Sequence, residues 1–285
     1  MNGALEVARY TIQESLRRRV FLVVLILSLG FLGLYWWGAS AAFREVRNNL
    51  DFEDSPIRAA EFAGGTLLGM AMFAILFLGT VLAVFLTLNA IRGDAERGLL
   101  QGILVRPVSR AAVLAGRFLA AFAVCSLYVT AMFFAAAGIT YLAGSTTPDR
   151  WMAPSFGLIG AMAVMTAISL LGSVFLSSTA NGIAVFMVFG AGLVGGLLGQ
   201  IGEALNSATL KDVSNLTTRA LPFEALYQNG LYGLTADFAG VERIVINLGP
   251  FGGAQRGGIL MWLWALVYIA ATLALATAAF KRRDL

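Results

Sequence analysis

The sequence contains no histidine and a single cysteine. The absence of histidine excludes Ser-His and Cys-His nucleophile pairs, His-ligated metal sites and histidine proton shuttles. The one thiol, Cys125, lies inside an apolar run and cannot form an intrachain disulfide, so we expect it to be buried and inert. We therefore predict no catalytic residue, no metal ligand and no cofactor-binding residue, and we do not expect an enzyme.

Charge is scarce as well. The 285 residues are 13% charged and 59% hydrophobic, with a mean hydropathy of +0.80. Such a composition is not that of a soluble domain, but it is typical of a chain with several membrane spans. The pI near 9.5 comes from basic residues at the edges of apolar runs. We therefore expect contact with membrane lipid and no nucleic-acid partner.

Lysine is confined to Lys211 and Lys281, and the sequence has no G-x-x-x-x-G-K-[ST] phosphate loop. The long apolar runs contain no Asp, Glu, Lys or Arg, although ion-coupled carriers usually place such groups in mid-membrane. These absences disfavour an ion-coupled transporter and an intramembrane hydrolase. If the chain takes part in active transport, the energy has to come from another polypeptide.

Six apolar runs predict an all-α, polytopic membrane protein with one transmembrane domain over residues 1–285. An amphipathic segment at 1–19 predicts an elbow helix in the plane of the membrane interface. A short turn is expected at 177–181 and an external segment at 202–258, whose apolar residues suit short helices dipping into the membrane. The predicted spans are about 20–42, 62–91, 118–143, 155–176, 182–201 and 259–280.

The first apolar run could alternatively be part of a signal peptide that is cleaved off. Ala39-Ser40-Ala41 follows a basic, apolar segment and resembles a signal-peptide cleavage site. The long amphipathic lead-in and the interface anchor Tyr35-Trp36-Trp37 favour a retained span instead. We expect no cleavage.

The distribution of basic residues predicts the orientation. With both termini inside, the short cytoplasmic segments hold twelve of the twenty Lys and Arg residues and five of the sixteen acids. The other eight basic residues are diluted over longer external loops. This favours a bacterial inner-membrane protein with both termini in the cytoplasm.

The most informative stretch is the charged loop at 92–117, which holds five arginines and two carboxylates between two apolar runs. Apolar residues at 3–4 spacing predict a short amphipathic helix from Asp94 to Leu104. Pro107 is expected to end this helix, and Ser109 to cap the next one. By itself the loop is equally compatible with a solvated turn between two spans.

The order of residues in this loop resembles the first cytoplasmic loop of ABC-2 type permeases, the membrane subunits of ATP-driven exporters. The matching features are the acidic pair Asp94 and Glu96, Gly98-Leu99-Leu100, Pro107-Val108-Ser109-Arg110 and Gly116-Arg117. Leu99 stands where the family usually has threonine, and Arg117 where it usually has lysine. The ends of the chain agree, since the elbow segment, Leu221-Pro222-Phe223 and the closing Arg-Arg-Asp-Leu are also familiar from these permeases.

The resemblance implies a coupling helix that docks two cytoplasmic ABC ATPase subunits, which bind ATP and Mg. It also implies a second permease chain, either another copy or a similar protein. The implied task is export of a hydrophobic or amphiphilic compound such as a drug, peptide or lipid. The branch that includes multi-copper enzyme maturation permeases offers an alternative, in which the permease moves a sulfur species or transmits ATP-driven motion. The docking residues implied are Asp94, Glu96, Arg97, Gly98, Leu99, Leu100, Ile103 and Leu104.

Two helical stripes complete the candidate sites. Phe73, Phe77, Thr80 and Thr87 of the second span recur at 3–4 spacing, which suits either a translocation path or ordinary helix packing. In the fifth span a stripe of glycines permits close backbone approach, either within the chain or at a dimer contact. These glycines are Gly192, Gly195, Gly196 and Gly199.

Overall fold

A computed structural model describes residues 7–9, 11, 13, 19–48, 56–88, 109–145, 152–235 and 255–282. Every regular element among these residues is an α-helix, which confirms the predicted fold class. The helices are α1 Arg19–Asn48, α2 Pro56–Thr87, α3 Arg110–Gly144, α4 Met152–Phe175, α5 Ser178–Ala204, α6 Ala208–Ala220, α7 Pro222–Thr235 and α8 Ile259–Lys281.

Six of these helices, α1 to α5 and α8, are long and apolar enough to cross a membrane. The shortest, α8, has 23 residues and extends about 34 Å at 1.5 Å per residue, close to the thickness of a hydrocarbon core. The six-span prediction is therefore confirmed. The elbow segment lies almost entirely outside the described residues.

The fourth span, α4, is the centre of the bundle. Two-thirds of its most apolar window is buried (67%), against 17% for α1 and for α8, which present most of their surface to the outside. Large side chains along α4, including Leu158, Met162 and Leu170, are fully buried. Their neighbours come from α2, α3, α5, α7 and α8. The outward apolar side chains of α1 and α8 are suited to lipid contact.

Several hydroxyl groups within the bundle bond to each other across two helices. The Tyr35 hydroxyl bonds the Thr140 hydroxyl at 2.7 Å, and Ser28 bonds Tyr128 at 2.6 Å, so two polar links join α1 to α3. In a lipid environment an unpaired hydroxyl is costly, and such cross-helix bonds stabilise the packing by about 1 kcal/mol. Tyr35 thus faces inward, whereas its neighbours Trp36 and Trp37 are exposed.

The short helices α6 and α7 form a hairpin that inserts between the spans, and we call residues 208–235 the hairpin. α6 follows α5 in the opposite direction, with Leu210 beside Gly202 and Thr217 beside Gly195. α7 then returns along α4, with Leu226 beside Gly160 and Gly233 beside Ala153. We call the end of the bundle at Met152 and Ala204 the hairpin end. The opposite end, at Thr87, Arg110, Phe175 and Lys281, is the loop end.

At the loop end, α5 begins at Ser178, inside the stretch that was expected to be a turn. Ser177 has the extended backbone of an N-cap residue (φ −65°, ψ 161°), so the polar residues after it form the first helical turn. Asn181, in that turn, is buried, and its amide donates to the Ser169 carbonyl at 3.0 Å. Of the polar side chains that indicated a solvated turn, Asn181 is therefore packed against α4, whereas Ser177 and Thr179 are exposed.

Candidate functional site

The predicted coupling helix lies outside the described residues, which stop at Leu88 and resume at Ser109. The two flanks of this loop are held at the loop end of the bundle. On the first flank, the Ser178 hydroxyl donates to the Leu88 carbonyl at 3.1 Å and so ties the end of α2 to the start of α5. The predicted docking residues at 94–104 therefore remain a prediction.

Ser109 caps α3, as the sequence predicts. Its backbone is extended (φ −65°, ψ 144°), and its hydroxyl accepts a hydrogen bond from the Ala112 amide at 3.2 Å. A serine in this position satisfies one of the free amides of the first turn. The exit of the charged loop is thus a fixed helix start.

Arg110, the next residue, binds the C-terminal end of the last span, α8. Its guanidinium Nη1 donates to the Phe280 carbonyl at 2.9 Å, and its carbon Cζ lies 5.5 Å from the centre of the Phe280 ring. A cation at a helix C-terminus is favourable because the last carbonyls are unpaired and carry partial negative charge. The exit of the charged loop is therefore joined directly to the C-terminus of α8.

The outward face of α2 is apolar and aromatic. Met70, Phe77 and Phe85 are 48%, 41% and 38% exposed, and Phe73 is half-buried on the same side. Phe77 contacts two rings of α5, Phe186 and Phe189, each with a centroid distance of 6.0 Å.

The aromatic contacts continue into the hairpin. Phe189 stacks on Phe223, with ring centroids 5.7 Å apart and an interplanar angle of 17°. Offset aromatic pairs of this kind are favourable beyond their buried area. A line of rings therefore runs from exposed Phe77 through Phe189 to Phe223, which is fully buried.

The two threonines of the predicted stripe point elsewhere. Thr80 and Thr87 are buried; Thr80 donates to the Leu76 carbonyl, and the Thr87 hydroxyl bonds that of Ser169 on α4. At 100° per residue, Thr80 and Thr87 lie about 60° and 80° around the helix axis from Phe77. The structure thus brings Phe73 and Phe77 to one face and both threonines to the interior.

The glycine stripe of α5 packs against the hairpin of the same chain. A Cβ added at Gly192 would overlap the Phe223 ring, and one at Gly196 would overlap the Glu224 carboxyl. Gly195 and Gly199 are covered in the same way by Thr217 and Ser214 of α6. The stripe is therefore occupied by helix packing within this chain.

Sequence analysis missed a buried polar cluster on α7. Glu224 is 1% exposed, and its Oε1 accepts a hydrogen bond from Gln228 Nε2 at 2.6 Å. Tyr227 is fully buried in the same helix. The available signal was a Glu and a Gln four residues apart in an apolar stretch, a spacing that places both on one helix face.

The structure has three features that bear on the site. It combines an exposed aromatic face, a hairpin packed into one end of the bundle and a charged loop with anchored flanks at the other end. The described residues of this site include no hydrogen-bonded pair of a nucleophile and a base.

Comparison with known proteins agrees over the full chain. A family profile described as "ABC-2 family transporter protein" matches residues 5–285. The "Probable ABC transporter permease protein NosY" of Pseudomonas aeruginosa is 28% identical over 305 residues, covering 98% of each chain. The protein of the same name from Stutzerimonas stutzeri is 27% identical, covering 99% of each chain.

The family match covers nearly all of the chain and coincides with six apolar spanning helices. The protein belongs to the ABC-2 family of transporter proteins and is a multi-pass permease subunit of an ABC transporter.

Proposed function

We propose that this permease forms one half of an export path for a hydrophobic or amphiphilic compound, such as a drug, a peptide or a lipid. The observation that carries the proposal is the line of aromatic rings from Phe77 through Phe189 to Phe223. It starts on an exposed apolar face of α2 and ends in the hairpin. A compound on that face would meet rings and methionine side chains, which suit apolar partners of varied shape.

The path is completed by a second permease chain, either another copy or a similar protein. Phe186 of α5, which is half-buried and contacts Phe77, extends the apolar face, and exposed Ile183 lies about one turn before it. The glycine stripe of α5 is already covered by the hairpin, so it is not available to a second chain. The dimer contact that we propose therefore uses the α2 and α5 side chains around Phe77.

Energy comes from two cytoplasmic ABC ATPase subunits that bind ATP and Mg. The support is the absence of a phosphate loop from the sequence and the family to which the chain belongs. These subunits dock on the coupling helix at 94–104. Movement there passes to α3 and α8 through Ser109 and Arg110.

The proposed orientation places the loop end in the cytoplasm of a bacterial cell and the hairpin end outside the inner membrane. In otherwise cysteine-free protein, Leu205→Cys is expected to react with an impermeant thiol reagent added to intact cells. Arg282→Cys is expected to react only after the cells are opened. Both positions are exposed, so their intrinsic accessibility is matched, and labelling of Arg282→Cys in intact cells would reverse the orientation.

The export function is tested in inverted membrane vesicles that contain the permease and its ATPase. ATP-dependent uptake of a fluorescent amphiphile is expected, and Phe77→Ala is expected to lower its initial rate about tenfold, a loss of about 1.4 kcal/mol. Leu127→Ala is the control, because Leu127 is 74% exposed on α3 outside the aromatic line. Equal rates for the two variants would argue against a path along the α2 face.

A second function is favoured by the two relatives, both of which carry the NosY name. The chain would then serve a maturation system for periplasmic copper enzymes, moving a sulfur species or transmitting ATP-driven motion. Copper-enzyme genes beside the gene for this chain would favour maturation. An adjacent ATPase gene is expected under both functions and does not distinguish them.

A further inference from the structure

Glu224 is a carboxyl group held inside the bundle without a countercharge. It is 1% exposed, and Gly196 lies directly against its Oε1. Gly196 is eight residues before Ala204, the end of α5, so the carboxyl lies about 12 Å below the hairpin end. At that depth an ionised carboxylate needs a partner to offset the loss of hydration.

Only one of the two carboxyl oxygens of Glu224 has a hydrogen-bond partner among the described residues. Gln228 Nε2 donates to Oε1, whereas Oε2 has no hydrogen-bond partner among the described residues. The buried hydroxyl of Tyr227, one turn away on the same helix, is also unpartnered there. An Oε2 that carries a proton makes the group neutral, and a neutral acid is tolerated in this environment.

Among the described side chains, none with a charge pairs with Glu224, including exposed Arg256 in the segment whose Gly257 contacts α7. On the helices that pack against α7, the charged residues with described side chains are Glu61 on α2, Glu203 on α5, Lys211, Asp212 and Arg219 on α6, and Lys281 on α8; Tyr268 on α8 is a further titratable group, and α4 has none. Burial raises the pKa of the Glu224 carboxyl to about 8, and the Gln228 hydrogen bond lowers it by a smaller amount. Burial raises the pKa of Tyr227, and an ionised Glu224 would raise it further.

We propose that Glu224 is a proton-binding site that keeps the hairpin seated against α4 and α5 while protonated and releases it when ionised. Glycines line the contact around the carboxyl: Gly192 and Gly196 of α5 lie against Phe223 and Glu224, and Gly157 of α4 lies against Gly230. Apolar side chains of α7, including Phe223 and Leu226, are buried in the same contact. Release of the hairpin exposes them, and the protonation state of Glu224 shifts the balance between the two states. This proposal about Glu224 does not depend on which compound the permease moves.

The direction of the pH effect follows from the two states. In the seated state the carboxyl retains its proton up to about pH 8, whereas in the released state it is hydrated and loses the proton near pH 4.3. Between these values the seated state holds one more proton than the released state. Seating is therefore strongest at low pH, and release rises about tenfold per pH unit up to pH 8 and then levels off.

The test measures seating directly, in the full chain reconstituted in lipid vesicles, without ATPase or substrate. In a Cys125→Ala background, Ser214→Cys reports seating, since Ser214 of α6 lies against Gly199. Asn215→Cys, an adjacent exposed position, corrects for the pH dependence of thiol chemistry. The probe is a small charged methanethiosulfonate reagent.

The Ser214→Cys labelling rate, divided by that of Asn215→Cys, is expected to rise about tenfold between pH 6.5 and 7.5. In Glu224→Gln, which keeps the shape and stays neutral, the ratio is expected to remain at its low-pH value. A flat ratio in the Glu224 protein, or an equal rise in Glu224→Gln, would overturn the proposal.

A second measurement needs no cysteine variant. Infrared spectra of the purified protein at neutral pH are expected to contain a C=O band of a buried protonated carboxylic acid, which disappears in Glu224→Gln and bleaches above pH 8. Identical spectra for the two proteins would overturn the proposal by themselves. Both measurements are independent of transport, so failure of the export function would leave their outcome unchanged.

Discussion

Gly157→Ala is expected to be the most destabilising single-methyl change in the bundle. An added Cβ would lie 2.7 Å from the Gly230 Cα and 2.7 Å from the Leu226 carbonyl oxygen, both in the backbone of α7. Backbone atoms cannot rotate away as the end of a side chain can, so α4 and α7 would have to separate. Overpacking of this kind costs about 1–3 kcal/mol.

The chain contains matched controls for this change. Gly138 on α3 and Gly190 on α5 also lie within spanning helices, but an added Cβ at either position would meet no atom within 4 Å. Alanine is a better helix former than glycine by up to about 1 kcal/mol. Gly138→Ala and Gly190→Ala are therefore expected to be neutral or mildly stabilising.

Unfolding in detergent, followed by loss of helical signal, measures all three variants. Gly157→Ala is expected to be less stable than either control by about 2 kcal/mol or more. Equal stability of the three proteins would mean that the hairpin is not packed against the fourth span as the structure has it. The comparison thus tests the packing of α7 against α4 and needs no transport assay.

The second large effect is expected in the charged loop. If Asp94–Leu104 is a coupling helix, Leu100 is a central apolar anchor in a groove of the ATPase, and Arg97 lies at the rim. Loss of a central anchor costs about 2 kcal/mol or more, which is roughly thirtyfold in affinity. Exposed rim charges contribute about 1 kcal/mol or less. Leu100→Ala should therefore impair assembly more than Arg97→Ala.

Gly98→Pro should be worse than either, because proline removes a backbone donor inside the helix and kinks it. All three changes lie outside the spanning helices, so membrane insertion should be unaffected. The measurement is co-purification of the ATPase with each variant, beside the amount of permease in the membrane. Wild-type assembly with Leu100→Ala and Gly98→Pro would mean that this loop is only a turn.

The spans could be predicted from the sequence because each is an uninterrupted apolar run, and only a helix satisfies the backbone of such a run in lipid. The cap at Ser109 was also predictable, because a serine after proline and before an apolar run is a local signal. These features depend on residues that are neighbours in the chain.

The packing of the α5 glycines against the hairpin could not be predicted from local sequence signals. The stripe of glycines from Gly192 to Gly199 indicates a close helix contact, but its partners lie further along the chain, from Ser214 to Glu224, in a segment of mixed polarity. A single-sequence pattern does not distinguish an internal partner from a second chain, since both need the same flat surface. The packing against Phe223 and Thr217 had to come from the structure.

The environments of the stripe threonines and of Glu224 could not be predicted from the sequence either. Thr80 and Thr87 follow Phe73 at intervals of seven residues, yet over these roughly four turns the stripe drifts by about 40° around the axis toward the interior. Glu224 lies in a segment that reads as an external loop, where a carboxylate needs no explanation. Only its burial against Gly196 makes it a candidate site.

The central claim is that this permease is driven by a separate ATPase, and ATP turnover by purified components tests it most directly. The chain alone, reconstituted in lipid, should neither bind nor hydrolyse ATP. Its ATPase partner should hydrolyse ATP faster with the wild-type permease than with Gly98→Pro. ATP turnover by the isolated permease, with contamination excluded, or an ATPase rate unchanged by adding wild-type permease, would contradict the claim.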